Sequence, residues 1–119
     1  MRAEPVLVLF VGGTEVQARY VKQIERSVRD RHGGGVRVEW FLTGWTGNWI
    51  DDAKRIEAKL PGASVLILMS FVRTMLGRRL RRAAGRAQVP WVACTGHGRA
   101  ALEDAIDRAV QLAGARHGA

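Results

Sequence analysis

The sequence predicts an α/β protein with three layers, a βαβαβαβα element order and a four-stranded parallel sheet. The expected strand order is 2-1-3-4, a flavodoxin-like or Rossmann-like arrangement. Apolar stretches alternate with helical periodicity along all 119 residues, which forces parallel strands with right-handed crossovers. Two of the stretches lack any polar alternation, as strands buried on both faces do. A chain of this length predicts one domain, 1–119.

The first strand and helix are predicted from an apolar run and a capping pair. Val6–Val11 contains no polar residue, and Gly12-Gly13 closes it. Thr14 stands three residues before Gln17, which is the spacing of a helix N-cap and its N3 partner. The glycines at 33–35 are expected to end the helix that follows.

The second strand and helix follow a different pattern. Val36–Phe41 alternates apolar with charged residues at its start, which suits an edge strand. Asn48 and Asp51 bracket the start of the next helix, and Pro61-Gly62 ends it. The predicted buried stripe of this helix consists of Ile50, Ala53, Ile56 and Leu60.

The second half of the chain begins with its most apolar segment, 63–71, which we predict to be a central strand. An arginine-rich helix follows, and Pro90 then precedes the short strand Trp91–Cys94. A last helix completes the alternation, and residues 114–119 are expected to form a frayed tail. The predicted buried face of the arginine-rich helix consists of Leu76, Leu80, Ala83, Ala84 and Ala87.

Positive charge is concentrated in one part of the chain. The formal net charge is +8, and no acidic residue occurs between Glu57 and Glu103. A positive field on one element attracts polyanions, of which phosphate backbones are the commonest in the cytoplasm. An arginine-rich helix that is merely solvated is the alternative that stays open. The predicted nucleic-acid or anion-binding residues are Arg73, Arg78, Arg79, Arg82 and Arg86.

A second candidate site lies where the strands end. In sheets of this kind ligands bind at the carboxyl ends of the strands, beside the point where the strand order reverses. Glycine-rich loops there can offer backbone N–H groups to an anion, although glycine also serves simply to allow a tight turn. The predicted ligand rim consists of Gly12, Gly13, Thr14, Ser70, Thr95, His97 and Gly98.

No catalytic or metal site is predicted, and no cofactor is expected. The rim has neither the acidic residues of a phosphoacceptor domain nor the glycine spacing of a dinucleotide or Walker loop. The histidines, at 32, 97 and 117, have no ligand partners at metal-binding spacing. Cys94 stands alone in an apolar run, so we expect a small buried side chain in a cytoplasmic protein. No segment is apolar for long enough to span a membrane.

Three tryptophans, Trp40, Trp45 and Trp49, lie within ten residues of one another. Tryptophan can anchor a subunit interface, stack on a nucleic-acid base or pack in the core. A four-stranded sheet has two short edges with little cover. We therefore expect a homodimer with these three residues as interface candidates, and we expect Trp45 to be the most exposed ring.

Several short segments carry a family resemblance. The segment 62–72, the basic helix after it, the strand that Pro90 leads and the segment 95–102 together resemble the bacterial family called domain of unknown function 2325. In that last segment this sequence has Gly96-His97-Gly98 where the family has Ser-Ser-Gly. The resemblance covers nearly the whole chain and implies this α/β fold in a bacterial cytoplasmic protein. It implies no reaction, because the family itself is uncharacterised. This sequence departs from the family's histidine positions at Thr43-Gly44 and at Arg73-Thr74.

Two functions are predicted from these features. The first is a small non-catalytic binding or regulatory module whose basic helix engages nucleic acid or an acidic protein. The alternative is a regulatory domain that captures a small phosphorylated or anionic ligand at the rim of the sheet. The first function depends on the arginines of the basic helix, whereas the second depends on Gly12, Gly13 and Gly98.

Overall fold

The computed structural model describes residues 5–44, 48–70, 72 and 74–117, and the side chains of 115–117 lie outside the description. Short 3-10 turns at Gly33–Gly35 and Leu60–Gly62 follow two of the helices. In chain order the strands and helices are β1 (Val6–Val11), α1 (Glu15–Ala18), α2 (Val21–His32), β2 (Val36–Phe41), α3 (Trp49–Lys59), β3 (Val65–Met69), α4 (Thr74–Ala87), β4 (Trp91–Cys94) and α5 (Arg99–His117).

The four strands form one all-parallel sheet in the order β2-β1-β3-β4. The predicted fold class and strand order are therefore confirmed. The register places Val8 beside both Val38 and Val65, and Leu66 beside Trp91. The central strand β3 is shorter than the apolar segment that predicts it.

Alternate side chains of the central strands enter two separate cores. Val8 and Phe10 of β1 pack with α2 and α5 on one face of the sheet. Leu9 and Val11 pack with α3 and α4 on the other face. Because both faces are covered, the last four residues of β1 and all five of β3 are buried, which explains why these strands lack polar alternation. Cys94 is buried in the first core, as expected.

The helix predicted after β1 is divided into α1 and α2, which meet at residues 19 and 20. Its start is as expected, because the Val16 N–H donates to Thr14 Oγ1 at 3.2 Å and the Thr14 N–H donates to Gln17 Oε1 at 2.8 Å. At the other end of the chain, α5 continues past Gly114 to His117. No helix among the described residues is both long and apolar enough to cross a membrane.

The turn between β1 and α1 needs glycine for two reasons. Gly12 and Gly13 have φ values of +115° and +105°, in the region that side-chain-bearing residues rarely adopt. A Cβ on Gly12 would also lie 2.8 Å from the Cβ of Met69 at the end of β3. The turn therefore depends on a close approach of backbone to side chain as well as on φ.

We predict that Gly12→Ala destabilises the protein by about 2 kcal/mol or more, because the new Cβ adds backbone strain and overpacks Met69. Urea unfolding measures the change. Gly34→Ala is the matched control, since a Cβ there meets nothing within 4 Å and φ lies outside the left-handed region. Equal unfolding midpoints for the two variants would contradict the prediction.

Candidate nucleic-acid interface

The arginine-rich helix α4 has two sharply different faces. Leu76, Leu80 and Ala84 are buried against the sheet and α3, so the apolar face holds the helix in place. Arg78, Arg82 and Arg86 are exposed on a different side of the helix, which borders α3, as their spacing predicts. Residues four apart on a helix lie about 6 Å apart along its axis. The three guanidinium groups therefore start from one row of regularly spaced positions, which we call the arginine row.

A groove of about 410 Å³ lies between α3 and α4. The arginine row and Arg79 line the α4 side of the groove, and Glu57 lines the α3 side. A second hollow of about 360 Å³ shares Glu57 and Arg86 with it. We call the two together the α3/α4 groove. Trp49 and Met75 line the end of the groove where both helices begin.

Glu57 and Arg79 form a two-bond ion pair across the α3/α4 groove. Arg79 Nε donates to Glu57 Oε2 at 2.9 Å, and a terminal nitrogen of Arg79 donates to Glu57 Oε1 at 2.8 Å. The hydrogen bond from Arg79 lowers the pKa of Glu57, partial burial opposes the shift, and the charge of Arg86 lowers the pKa further. Glu57 is therefore ionised at neutral pH and neutralises Arg79.

The arginine row is not neutralised in this way. Among the described residues, no carboxylate lies within ion-pair distance of Arg78, Arg82 or Arg86. Some arginines elsewhere have such a partner, whereas the exposed Arg19, Arg26 and Arg29 have none among the described residues. The arginines with a carboxylate partner are Arg31, Arg55, Arg79, Arg99 and Arg108. The positive charge of the row is thus directed to solvent.

A further arginine of α4, Arg81, lies outside the groove. Its guanidinium carbon is 5.6 Å from the ring centre of Trp91 in β4, within the range of a cation–π contact. Trp91 is 43% exposed. The two flanks of α4 therefore differ, with Arg81 held on the edge strand and the arginine row beside α3.

The predicted rim residues lie in the three loops that follow β1, β3 and β4, and hydrogen bonds connect these loops. The amide of Gln17 donates to the His97 carbonyl at 3.0 Å, which joins the loop after β1 to the loop after β4. The Ser70 hydroxyl donates to the Thr95 carbonyl at 3.5 Å. Thr14 is already occupied in capping α1. Several polar groups of the rim that the structure describes therefore bind one another.

The predicted tryptophan cluster is divided by the sheet. Trp40 stacks on Phe10 with ring centres 4.8 Å apart, and its Nε1 donates to Glu25 Oε2 at 3.3 Å. It packs with the core on the α2/α5 side, whereas Trp49 packs with the core on the α3/α4 side. The two rings do not share one patch. Trp45 and Arg73 lie outside the described residues.

The sequence predictions missed three residues that the structure places in the groove or at the rim. Glu57 was only the boundary of the acid-free window, but it lies eight residues after Trp49 and so on the same side of α3. Met75 and Gln17 were also not predicted to line a site. Helical spacing could have identified Glu57, whereas the contact between Gln17 and His97 joins residues 80 positions apart.

No family model matches this chain, and no curated protein matches its sequence. The resemblance to the bacterial family named above therefore stays a prediction.

We predict that Glu57→Gln lowers stability at neutral pH and that this loss disappears in acid. A glutamate whose pKa is lowered by folding stabilises the protein above its unfolded pKa of about 4.3. That contribution is lost as the pH falls through the lower pKa of the folded state. Urea unfolding of both proteins at neutral and acidic pH measures the difference.

Asp30→Asn is the control for this pH dependence. Asp30 is exposed, and among the described residues it has no ion-pair partner. Its variant should show no neutral-pH loss of this kind. A Glu57→Gln protein as stable as wild type at neutral pH would mean that the pair contributes nothing to stability.

Proposed function

We propose that the protein is a small binding module that holds the phosphate backbone of nucleic acid on α4. The observation that carries the proposal is the arginine row, which is exposed, regularly spaced and unpaired among the described residues. Arginine binds phosphate strongly because its planar guanidinium donates two parallel hydrogen bonds. A row of such groups on one helix matches a ligand whose negative charges also repeat.

The contrast within α4 supports the proposal. Arg79 is held by Glu57, and Arg81 lies over Trp91, so two arginines of the helix have structural contacts. Among the described residues, Arg78, Arg82 and Arg86 have no ion pair or ring contact of this kind. Holding unpaired like charges one helical turn apart is unfavourable by a few tenths of a kcal/mol for each pair. An anionic ligand would relieve this repulsion.

An acidic protein partner is the other occupant predicted for this surface. Guanidinium groups bind carboxylates as well as phosphates. The regular spacing of Arg78, Arg82 and Arg86 favours nucleic acid over an acidic protein, because the charges of a phosphate backbone repeat evenly. The net charge of +8 also favours association with nucleic acid, since it raises the encounter rate with any polyanion.

Capture of a small anion at the rim has less support. The Thr14 side chain caps α1, and the Gln17 side chain spans the two loops. Thr43 Oγ1 is buried without a partner among the described residues, but Thr43 as a whole is only partly buried. The rim function therefore stays the alternative to the α4 surface.

We predict that replacing Arg78, Arg82 and Arg86 together with Gln reduces the slope of log K against log salt by about 2 to 3, at roughly 0.9 per phosphate on duplex DNA. Folding should be almost unaffected, because all three side chains are exposed. Fluorescence anisotropy with a labelled duplex and a labelled single strand, at several salt concentrations, measures the slope.

The matched control replaces Arg19, Arg26 and Arg29 with Gln. These arginines are also exposed, and Arg26 and Arg29 belong to α2 on the opposite face of the sheet. The control variant removes the same number of positive charges from a different surface. If the arginine row is the binding surface, the control should therefore reduce the slope of log K against log salt far less. Equal losses would mean that only net charge matters. Binding of acidic polypeptide, with no binding of either nucleic acid at low salt, would replace the proposal with an acidic protein partner.

The homodimer is likewise proposed from the two edge strands, β2 and β4. The Arg108 guanidinium donates to the Ala93 carbonyl at 3.2 Å, which covers part of the β4 edge. Trp40 and Trp49 are both partly buried and pack against different cores, so we propose each ring separately as an interface candidate. Sedimentation equilibrium at micromolar concentration should give twice the chain mass of 13.1 kDa. A species of the chain mass alone would contradict the dimer.

A further inference from the structure

The two walls of the α3/α4 groove differ in their chemistry. The α4 wall carries the arginine row, whereas the α3 wall carries Glu57 and Trp49. A polyanion lying along the groove would therefore keep its phosphates on the α4 side, and its other parts would face α3.

The end of the groove is apolar. Trp49 is the first residue of α3 and packs, partly buried, against the core on the α3/α4 side of the sheet. Met75, in the first turn of α4, lines the same end and is 56% exposed. An exposed methionine beside an indole makes a polarizable surface suited to the flat face of an aromatic group.

The start of α3 does not offer a phosphate site that would compete with this arrangement. The Asn48 side chain accepts hydrogen bonds from the N–H groups of Ile50 and Asp51, at 3.1 and 3.3 Å. The two amides that would face an anion are thus already satisfied. The surface that Trp49 offers at this end is its ring.

We propose that the α3/α4 groove binds single-stranded nucleic acid in preference to duplex. The backbone lies along the arginine row, and one base stacks on Trp49 against Met75. This inference rests on the proposed function and adds the class of nucleic acid. Single strands expose the faces of their bases to aromatic side chains, whereas a duplex keeps its bases stacked between two backbones. A charged wall opposite an aromatic end is the combination that single-strand binding sites use.

The test compares the affinity of a labelled thymidine strand with that of the same strand in a duplex, at one salt concentration. Wild type should bind the single strand more tightly. Trp49→Leu keeps an apolar side chain against the core but removes the ring. It should weaken single-strand binding by about 5- to 100-fold, the range for loss of one stacked base, and leave duplex binding unchanged. Trp49→Phe should retain most of the single-strand affinity.

Two controls separate this inference from the proposed function. Trp91→Leu removes an exposed ring on the other flank of α4 and should leave both affinities unchanged. The triple arginine variant should lose affinity for both ligands. Equal affinities of wild type for single strand and duplex would overturn the single-strand preference. So would equal single-strand affinities of the Trp49→Leu and Trp49→Phe variants. The proposed function would still stand if the triple arginine variant lost affinity for both ligands. Absence of binding to either ligand would overturn both. Circular dichroism of each variant identifies any that fails to fold.

Discussion

The whole arrangement depends on burying both faces of the parallel sheet. The side chains of β1 and β3 alternate between two cores, and each core must be closed by helices. With the strand order β2-β1-β3-β4, the helix before β3 and the helix after it cover the same face. α3 and α4 are therefore neighbours because of the sheet, and the groove between them follows from the topology. Both helices are held against the sheet mainly by the burial of their apolar side chains.

Because α3 and α4 are neighbours, Glu57 of α3 can pair with Arg79 of α4. This pair distinguishes Arg79 from the arginine row. The pair uses two parallel hydrogen bonds across the helix interface, and it holds one guanidinium toward α3. The row beyond it keeps its charge, because Glu57 is the only carboxylate among the described residues that lines the groove and its two oxygens are occupied by Arg79. The pair thus joins Arg79 to α3 and leaves the outer arginines without a carboxylate partner among the described residues.

Most of the fold and part of the site could be predicted from the sequence. The bounds of β1, β2 and β4 agree with those predicted, because their limits are set by local glycine, proline and polar residues. The exposure of the arginine row could be predicted because its residues recur every four positions on a different side of α4 from the buried leucines and alanines. The Glu57–Arg79 contact could not be predicted, since it joins two helices whose relative rotation depends on core packing. The separation of Trp40 from Trp49 also escaped prediction, because nearness in sequence does not show which face of a sheet receives each ring.

The position of the proposed site follows from what the rim already does. In parallel α/β sheets the ligand usually binds at the carboxyl ends of the strands. There the free N–H groups at the starts of helices commonly donate hydrogen bonds to an anionic ligand. In this protein Thr14 and Gln17 satisfy the start of α1, and Gln17 also joins the loop before α5. These bonds join α1 to the loop before α5 and occupy N–H groups at the start of α1 that an anion could otherwise bind. Among the described residues, Arg78, Arg82 and Arg86 have no carboxylate within ion-pair distance, so we place the proposed site on the side of the sheet, along α4.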